Sequence, residues 1–191
     1  MIIGLDVNKT YEAFARLGEY SVDKVKAKVA EQSFFNEYEK GKLDDSEFRS
    51  NLRSLLNTNA ADSDIDTAWN AMVLHIPQEK YRLLTKLKTR CRLFLLSNTN
   101  NIHLQFVNQI VFNDTGHSGI GHFFHKDYYS HIMNMRKPET EIFQRVLLEN
   151  NLIATETHFL DDTLENIQSA SSLGIQTTHV TSPEMVLSLF S

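Results

Sequence analysis

Hydrophobic positions along the chain fall into two regimes. From Thr10 to about Gln78 they recur with helical spacing: Phe14 and Leu17, then Val22, Val25 and Val29, then Phe34, Phe35 and Tyr38, then Phe48, Leu52, Leu55 and Leu56, then Ile65, Trp69 and Met72. Gly18, Gly41 and the Asp44-Asp45-Ser46 cluster punctuate this region, which predicts a small all-helical unit of four or five short helices. Ahead of it, Ile2, Ile3 and Leu5 read as a very short strand that meets a helix start at Asp6-Val7-Asn8. After Pro77 the pattern changes. A helix bearing Tyr81, Leu83, Leu84 and Leu87 leads into Leu93-Phe94-Leu95-Leu96, a continuous apolar run expected of a strand buried on both faces of a parallel sheet. A helix with Ile102, Phe106, Val107 and Ile110 follows, then a flexible, glycine-containing loop over residues 113–121, a strand over residues 123–130 and a loop over residues 133–136. Pro138 opens a helix with Ile142, Phe143, Val146 and Leu147 inward. Phe159 and Leu160 then run into Asp161-Asp162. Thr163 is placed to cap the next helix, whose inner face is Leu164, Ile167 and Ala170 and whose end is Gly174. A strand over residues 175–180 and a last helix, from Pro183 through Met185, Val186 and Leu189, complete the chain. This alternation predicts a doubly wound α/β sheet, whose ligands sit at the carboxyl ends of the strands.

Composition narrows the function. At 191 residues and 41% hydrophobic, the chain can bury a core as one domain or as a domain with an insert. A net charge of -5, a pI near 5.9 and no Lys/Arg block argue against nucleic acid as a partner and favour small-molecule chemistry. The single cysteine, Cys91, cannot form an internal disulfide and reads as an inert, mostly buried thiol, which suits a reducing cytoplasm. No apolar stretch approaches the ~20 residues of a membrane span, and the N-terminus lacks a signal peptide's basic flank, so no membrane is expected. The eight histidines show no metal-ligand spacing; His122 and His125 are three apart but on a loop-to-strand segment.

Three strand-edge positions converge by topology: Ser97-Asn98, Lys137 and Asp161-Asp162. Each alone has a bland reading, as a turn residue, a solvated helix start and an acidic cap. Together they supply a hydroxyl and backbone N–H donor, a fixed cation and a carboxylate pair. Those are the parts that hold a phosphoryl group and spread its transition-state charge. Adjacent carboxylates at a strand edge repel and lose solvation, and Mg²⁺, a hard oxygen-seeking cation, is the expected counter-charge.

Leu96-Ser97-Asn98-Thr99-Asn100, Met135-Arg136-Lys137-Pro138-Glu139 and Phe159-Leu160-Asp161-Asp162-Thr163-Leu164-Glu165-Asn166 resemble, in order, the second, third and fourth motifs of the haloacid dehalogenase-like (HAD) hydrolase superfamily. The helical region, with Tyr38-Glu39-Lys40-Gly41-Lys42-Leu43-Asp44-Asp45-Ser46-Glu47-Phe48 and Ala68-Trp69-Asn70-Ala71-Met72, resembles the cap of the subgroup that holds glucose-1-phosphate phosphatases and the phosphatase domain of soluble epoxide hydrolases. The resemblance implies an HAD-like Rossmannoid parallel sheet, an α/β core over residues 1–8 and 79–191, with an inserted all-helical cap over residues 9–78. It implies a Mg²⁺-dependent phosphatase of small phosphorylated metabolites, sugar phosphates first, acting as a monomer or homodimer. Ser97 and the Asn98 backbone would bind the phosphoryl group and Lys137 would steady its charge. Asp162, helped by Asp161, would hold Mg²⁺, and Asn166 would support that loop.

One motif departs from the pattern. The family's nucleophile is an Asp at the end of the central strand, with a second Asp two residues on as acid/base. Met1 to Thr10 resembles the segment just downstream of that motif, so the central strand and its carboxylates would be missing. In a rival alignment Asp6 is the nucleophile, with Asn8 at the acid/base position. An amide cannot shuttle the proton, at a cost of ~10²- to 10⁴-fold where proton transfer limits the rate. Two other readings stay open, a non-catalytic homologue that binds a ligand or partner, and an aspartyl-phosphate receiver, against which the motif order speaks. A sheet without its central strand leaves backbone groups short of partners, at ~1–3 kcal/mol for each that stays buried. The 191-residue chain is therefore expected to recruit Met1 to Leu5 into the gap or to be poorly stable.

Overall fold

The structure is a computed structural model that describes residues 2–182 and 184–190. The chain divides into two compact units.

The helical unit comprises Ile3–His75 and Thr99–Ile120. Its helices are α1 (Val7–Gly18), α2 (Val22–Ala30), α3 (Phe34–Glu39), α4 (Asp45–Leu56) and α5 (Asp62–Asn70), joined by a later one, α7 (Asn101–Thr115). Local chemistry sets the boundaries. The Asp44 side chain accepts from the Glu47 backbone and the Glu47 side chain reaches back to the Asp44 N–H, a complete capping box that starts α4. Ser21 caps α2, and Gly41, at φ 67°, takes the left-handed turn between α3 and α4. The predicted periodicity becomes one aromatic core. Tyr38 stacks on Phe48 at 4.1 Å, Phe48 meets Trp69 at 5.2 Å, and Phe14 lies parallel to Trp69. Phe14, Phe48, Leu52, Leu56 and Ile65 are fully buried, each contributing roughly 1.5–3 kcal/mol of burial.

The other unit holds Ile2, Ile76–Asn98 and the chain from Gly121 onward. It contains α6 (Gln78–Lys88), β1 (Phe94–Ser97), β2 (Lys126–Tyr129), α8 (Ser130–Met133), α9 (Thr140–Glu149), β3 (His158–Asp161), α10 (Leu164–Ser172), β4 (Gln176–His179) and α11 (Met185–Leu189). The strands are parallel, as predicted, but form two separate pairs. β1 pairs β2 with Ser97 opposite Tyr129, and β3 pairs β4 with Asp161 opposite His179. Among the described residues no strand occupies the second edge of β1 or of β3. Phe94, Leu95, Leu96, Phe159 and Leu160 are consequently only partly buried, where Leu93 to Leu96 were expected to be covered on both faces. Residues 2–5 do not fill that gap. Ile2 packs against the cluster of Leu83, Val180 and Val186. Gly4 accepts from Leu74 N at 3.0 Å, and Leu5 forms an isolated antiparallel bridge with Val73. Met1 lies outside the described residues.

Several local expectations differ from what forms. Helix α7 runs on to Thr115, so residues 113–115 are helical, and Asn108 Oδ1 accepts from Ile120 N at 3.1 Å to tie down the following turn. Gly119 is required there, because a Cβ would lie 2.3 Å from Asn108 Oδ1. The strand expected over residues 123–130 is shorter: Phe123 and Phe124 are buried in and after a 3₁₀ turn, and Ser130 already begins α8. Pro138 precedes α9 by two residues after a cis peptide bond with Lys137. Cys91 is exposed rather than buried, since it follows the end of α6 and precedes the strand. Leu164 is also exposed, whereas Ile167 and Ala170 are buried as expected. Pro183, read as the start of the last helix, lies outside the described residues.

Candidate active site

The carboxyl ends of β1 and β3 are joined by one side chain. Lys137 Nζ donates to the Leu96 carbonyl at 3.0 Å and to Asp161 Oδ2 at 2.5 Å. Both partners of this ion pair are buried, at 6% and 2% exposure. The Lys137 ammonium lies over the Phe159 ring, with Nζ 5.4 Å from its centroid. Asn98 fixes the Lys137 backbone from both sides: its Nδ2 donates to Lys137 O at 2.8 Å and its Oδ1 accepts from Lys137 N at 2.9 Å. The turn after β1 and the turn before α9 are thus one structure, although 39 residues separate them.

Asp161 is saturated. Besides Lys137, its Oδ1 accepts from Thr163 N and from Asn166 Nδ2, each at 2.9 Å. Burial pushes this carboxyl up, but the Lys137 charge and the hydrogen bonds from Lys137, Asn166 and Thr163 outweigh it and hold the group below the usual carboxylate range. Thr163 occupies the expected cap position of α10, but its side chain makes no cap bond; the Asp161 carboxylate takes the Thr163 N–H instead. Asp162 is exposed, so its carboxylate faces solvent while its backbone carbonyl lies 3.1 Å from His179 Nε2.

The structure therefore brings Asn98, Lys137, Asp161 and Asn166 into one hydrogen-bonded group, with Ser97 and Asp162 beside it in sequence at the two strand ends. Among the described residues the Ser97 hydroxyl has only a long contact, 3.4 Å, to Asn98 O. Asp6 is placed differently. It sits in the helical unit as the N-cap of α1, its Oδ1 accepting from Asn8 N at 3.2 Å and its own N–H bonded to Met72 O. His179 was not singled out from the sequence. No local signal in the sequence marks it, because its place opposite Asp161 comes from the parallel register of β3 and β4.

A magnesium ion can be tested against this donor set. Among the described residues no group of three or more His, Cys, Asp or Glu side chains could form an all-protein cage. Mg²⁺, however, binds through one or two carboxylates and completes its shell with water and substrate phosphate. One solvent-facing carboxylate, Asp162, beside a saturated and neutralised Asp161 fits that mode. No helix among the described residues is long and apolar enough to cross a membrane.

Parallel strands that alternate with helices, with Asn98, Lys137 and the Asp161-Asp162 pair at the strand ends, define a doubly wound α/β fold. The family model of haloacid dehalogenase-like hydrolases matches residues 32–180, and the chain belongs to that family. A D-ribitol-5-phosphate phosphatase from Bacteroides thetaiotaomicron is 29% identical over 177 residues, covering 93% of this chain and 85% of the relative. A crystal structure of an HAD-family enzyme from the same organism, an Asp-to-Ala variant in complex with magnesium and inorganic phosphate, superposes with a TM-score of 0.91 at 34% identity, covering all of this chain and 94% of the other. A predicted HAD-like hydrolase from Porphyromonas gingivalis superposes at 0.87, with 26% identity and 98% and 91% coverage.

Proposed function

We propose that this protein is the body of a Mg²⁺-dependent phosphatase of small phosphorylated sugars or polyols. Its nucleophilic aspartate would be carried on a strand contributed by residues ahead of Met1. The observation that carries the reading is the seat of Lys137: a buried ammonium pinned between the Leu96 carbonyl and the Asp161 carboxylate, at the ends of two strands whose facing edges are vacant of any described strand. Two of its three N–H groups are used, and the third has no acceptor among the described residues. A strand between β1 and β3 would end beside that N–H and complete the sheet. The relative named as a D-ribitol-5-phosphate phosphatase points to the substrate class.

In this account each group has one task. The Ser97 hydroxyl, which has only its long contact to give up, donates to a phosphate oxygen, and the Asn98 backbone N–H donates to a second. Lys137 holds positive charge against the equatorial oxygens, and Asn98, by gripping the Lys137 peptide, keeps that ammonium in register with Ser97. Asp161 and Asn166 keep the Lys137 side chain in place rather than touching substrate. Bound magnesium, held by Asp162, would neutralise developing phosphate charge.

Phosphate release from a panel of pentitol and pentose phosphates tests the proposal. The natural-source protein should hydrolyse at least one of them with Mg²⁺ and lose the activity in EDTA. The 191-residue chain, whose Asp6 carboxylate is committed to capping α1, should bind inorganic phosphate with Mg²⁺ but turn over at least 100-fold more slowly, the scale of a missing nucleophile or general acid/base. Binding without turnover by the natural-source protein would favour the non-catalytic homologue.

A further inference from the structure

Just past the end of β3 the backbone is held at three successive points, all within the α/β unit. Val180 N donates to Asp161 O at 2.9 Å. Thr163 N donates to Asp161 Oδ1, also at 2.9 Å. Between them, Asp162 O lies 3.1 Å from Nε2 of His179, the last residue of β4. Asp162 O and Thr163 N are the two polar atoms of a single peptide group. That peptide is therefore gripped on one side by an imidazole and on the other by a buried carboxylate, while the peptide before it is gripped at its carbonyl. A peptide group is rigid, so holding both planes that flank Asp162 fixes its φ and ψ. The exposed Asp162 carboxylate is left with its side-chain rotations alone.

A carbonyl oxygen only accepts, so a hydrogen bond here requires a proton on Nε2 of His179. The ring takes over where the ladder stops: the strand register ends at Asp161 and His179, and the next donor on the β4 side, Val180 N, is already bonded to Asp161 O. A carboxylate on a mobile turn loses backbone freedom when it coordinates a metal, whereas one on a fixed turn has none left to lose. We propose that His179 is a positioning residue for the metal. By donating from Nε2 to Asp162 O it fixes the peptide that carries the Asp162 carboxylate and raises the affinity of that carboxylate for Mg²⁺, without coordinating the ion. The clamp stands on the hydrogen bonds, and its consequence for the metal rests on the Mg²⁺ reading of Asp162 given above. A ring that served only to cover β4 would be indifferent to which nitrogen carries the proton, and exchanging it for another ring would change nothing at Thr163.

Two variants of the 191-residue chain separate these roles. His179→Phe keeps a ring and loses the donor, and His179→Gln returns an N–H close to the place of Nε2. Long-range proton–nitrogen spectra of wild type at pH 8 should show the imidazole proton on Nε2; an Nδ1–H tautomer overturns the inference. Exchange of the Thr163 amide, followed by NMR, should rise roughly fivefold or more in His179→Phe and return close to wild type in His179→Gln. The dissociation constant for Mg²⁺ in saturating inorganic phosphate, read by thermal shift, should rise about 10-fold in His179→Phe, the low end for groups that support a metal ligand from behind, and recover in His179→Gln. The metal-free Tm should stay within about 3 °C of wild type in both. A Mg²⁺ constant within twofold of wild type in His179→Phe, or an equal loss in the two variants, overturns the inference. If the tautomer and Thr163 respond as expected but wild type shows no Mg²⁺ response, the clamp holds and the metal reading of Asp162 fails.

Discussion

Replacing Lys137 with methionine keeps a long unbranched side chain and removes the charge, its two hydrogen bonds and its position over the Phe159 ring. Asp161 is then a buried carboxylate without a cation. Breaking a buried pair from one side costs about 3–5 kcal/mol. Asp161 keeps its bonds from Thr163 N and Asn166 Nδ2, which places the expected loss near the lower end, about 3 kcal/mol at pH 7. For a chain of this size that corresponds to a Tm lower by roughly 6–12 °C. The pH dependence carries the sharper test. In wild type the folded-state carboxyl lies below its unfolded value of about 3.9, so its stabilisation is present above that pH and is lost as pH falls below about 4. In Lys137→Met, burial acts unopposed by a cation and raises the folded-state value above the unfolded one. The folded variant then binds a proton more readily than the unfolded chain and regains stability on acidification. Urea unfolding followed by circular dichroism should show the gap between wild type and variant closing from pH 7 to pH 4. A gap below about 1 kcal/mol at pH 7, the range of an exposed pair, or a gap unchanged with pH, would refute the reasoning.

Other substitutions separate binding from stability. Asp162→Asn, at an exposed position, should change unfolding free energy by no more than about 0.5 kcal/mol. It should abolish the Mg²⁺-dependent part of phosphate stabilisation, which in wild type approaches about 2.7 kcal/mol at 100 times Kd; an unaltered Mg²⁺ response in thermal melts would place the metal elsewhere. Asn98→Ala loses both bonds to the Lys137 peptide and should cost about 1–3 kcal/mol, with Asn98→Asp recovering part of it; equal losses in the two variants would count against the clamp. His103 is held neutral, burial pushing its value down to about 4 against the opposing bond to Trp69 O. Since the unfolded imidazole protonates near 6.5, stability is fully present above that pH and falls as pH drops toward 4, by roughly 3 kcal/mol. His103→Gln should flatten that slope in chemical denaturation, and an unchanged slope would assign it to other groups.

The helical regime and the strand-end positions could be read from the sequence because each rests on local signals. Periodicity gave α1 to α5, a capping box opened α4, and Asp161-Asp162 and Lys137-Pro138 mark strand-to-helix and loop-to-helix turns. What escaped it depends on long-range pairing. Asn98 was read for its backbone N–H, yet its side chain is what ties two distant turns together. Asp161 and Asp162 look alike in sequence, but one is buried against Lys137, Thr163 N and Asn166 and the other is exposed. The Asp45 bond to Asn101 joins positions 56 residues apart with no periodic relation. The apolar run at Leu93 to Leu96 marked a strand, which forms over Phe94–Ser97, but the burial expected on both faces does not occur, because among the described residues a strand pairs with it on one side only.

The central claim, that a nucleophile-bearing strand belongs between β1 and β3, is tested most directly by the N-terminal peptide of the protein from its natural source, read by mass spectrometry. The account predicts residues ahead of Met1 that form an apolar run of strand length, ending in an aspartate with a second one two positions on. A natural terminus at Met1 would contradict it and leave a phosphate-binding homologue without the catalytic carboxylate.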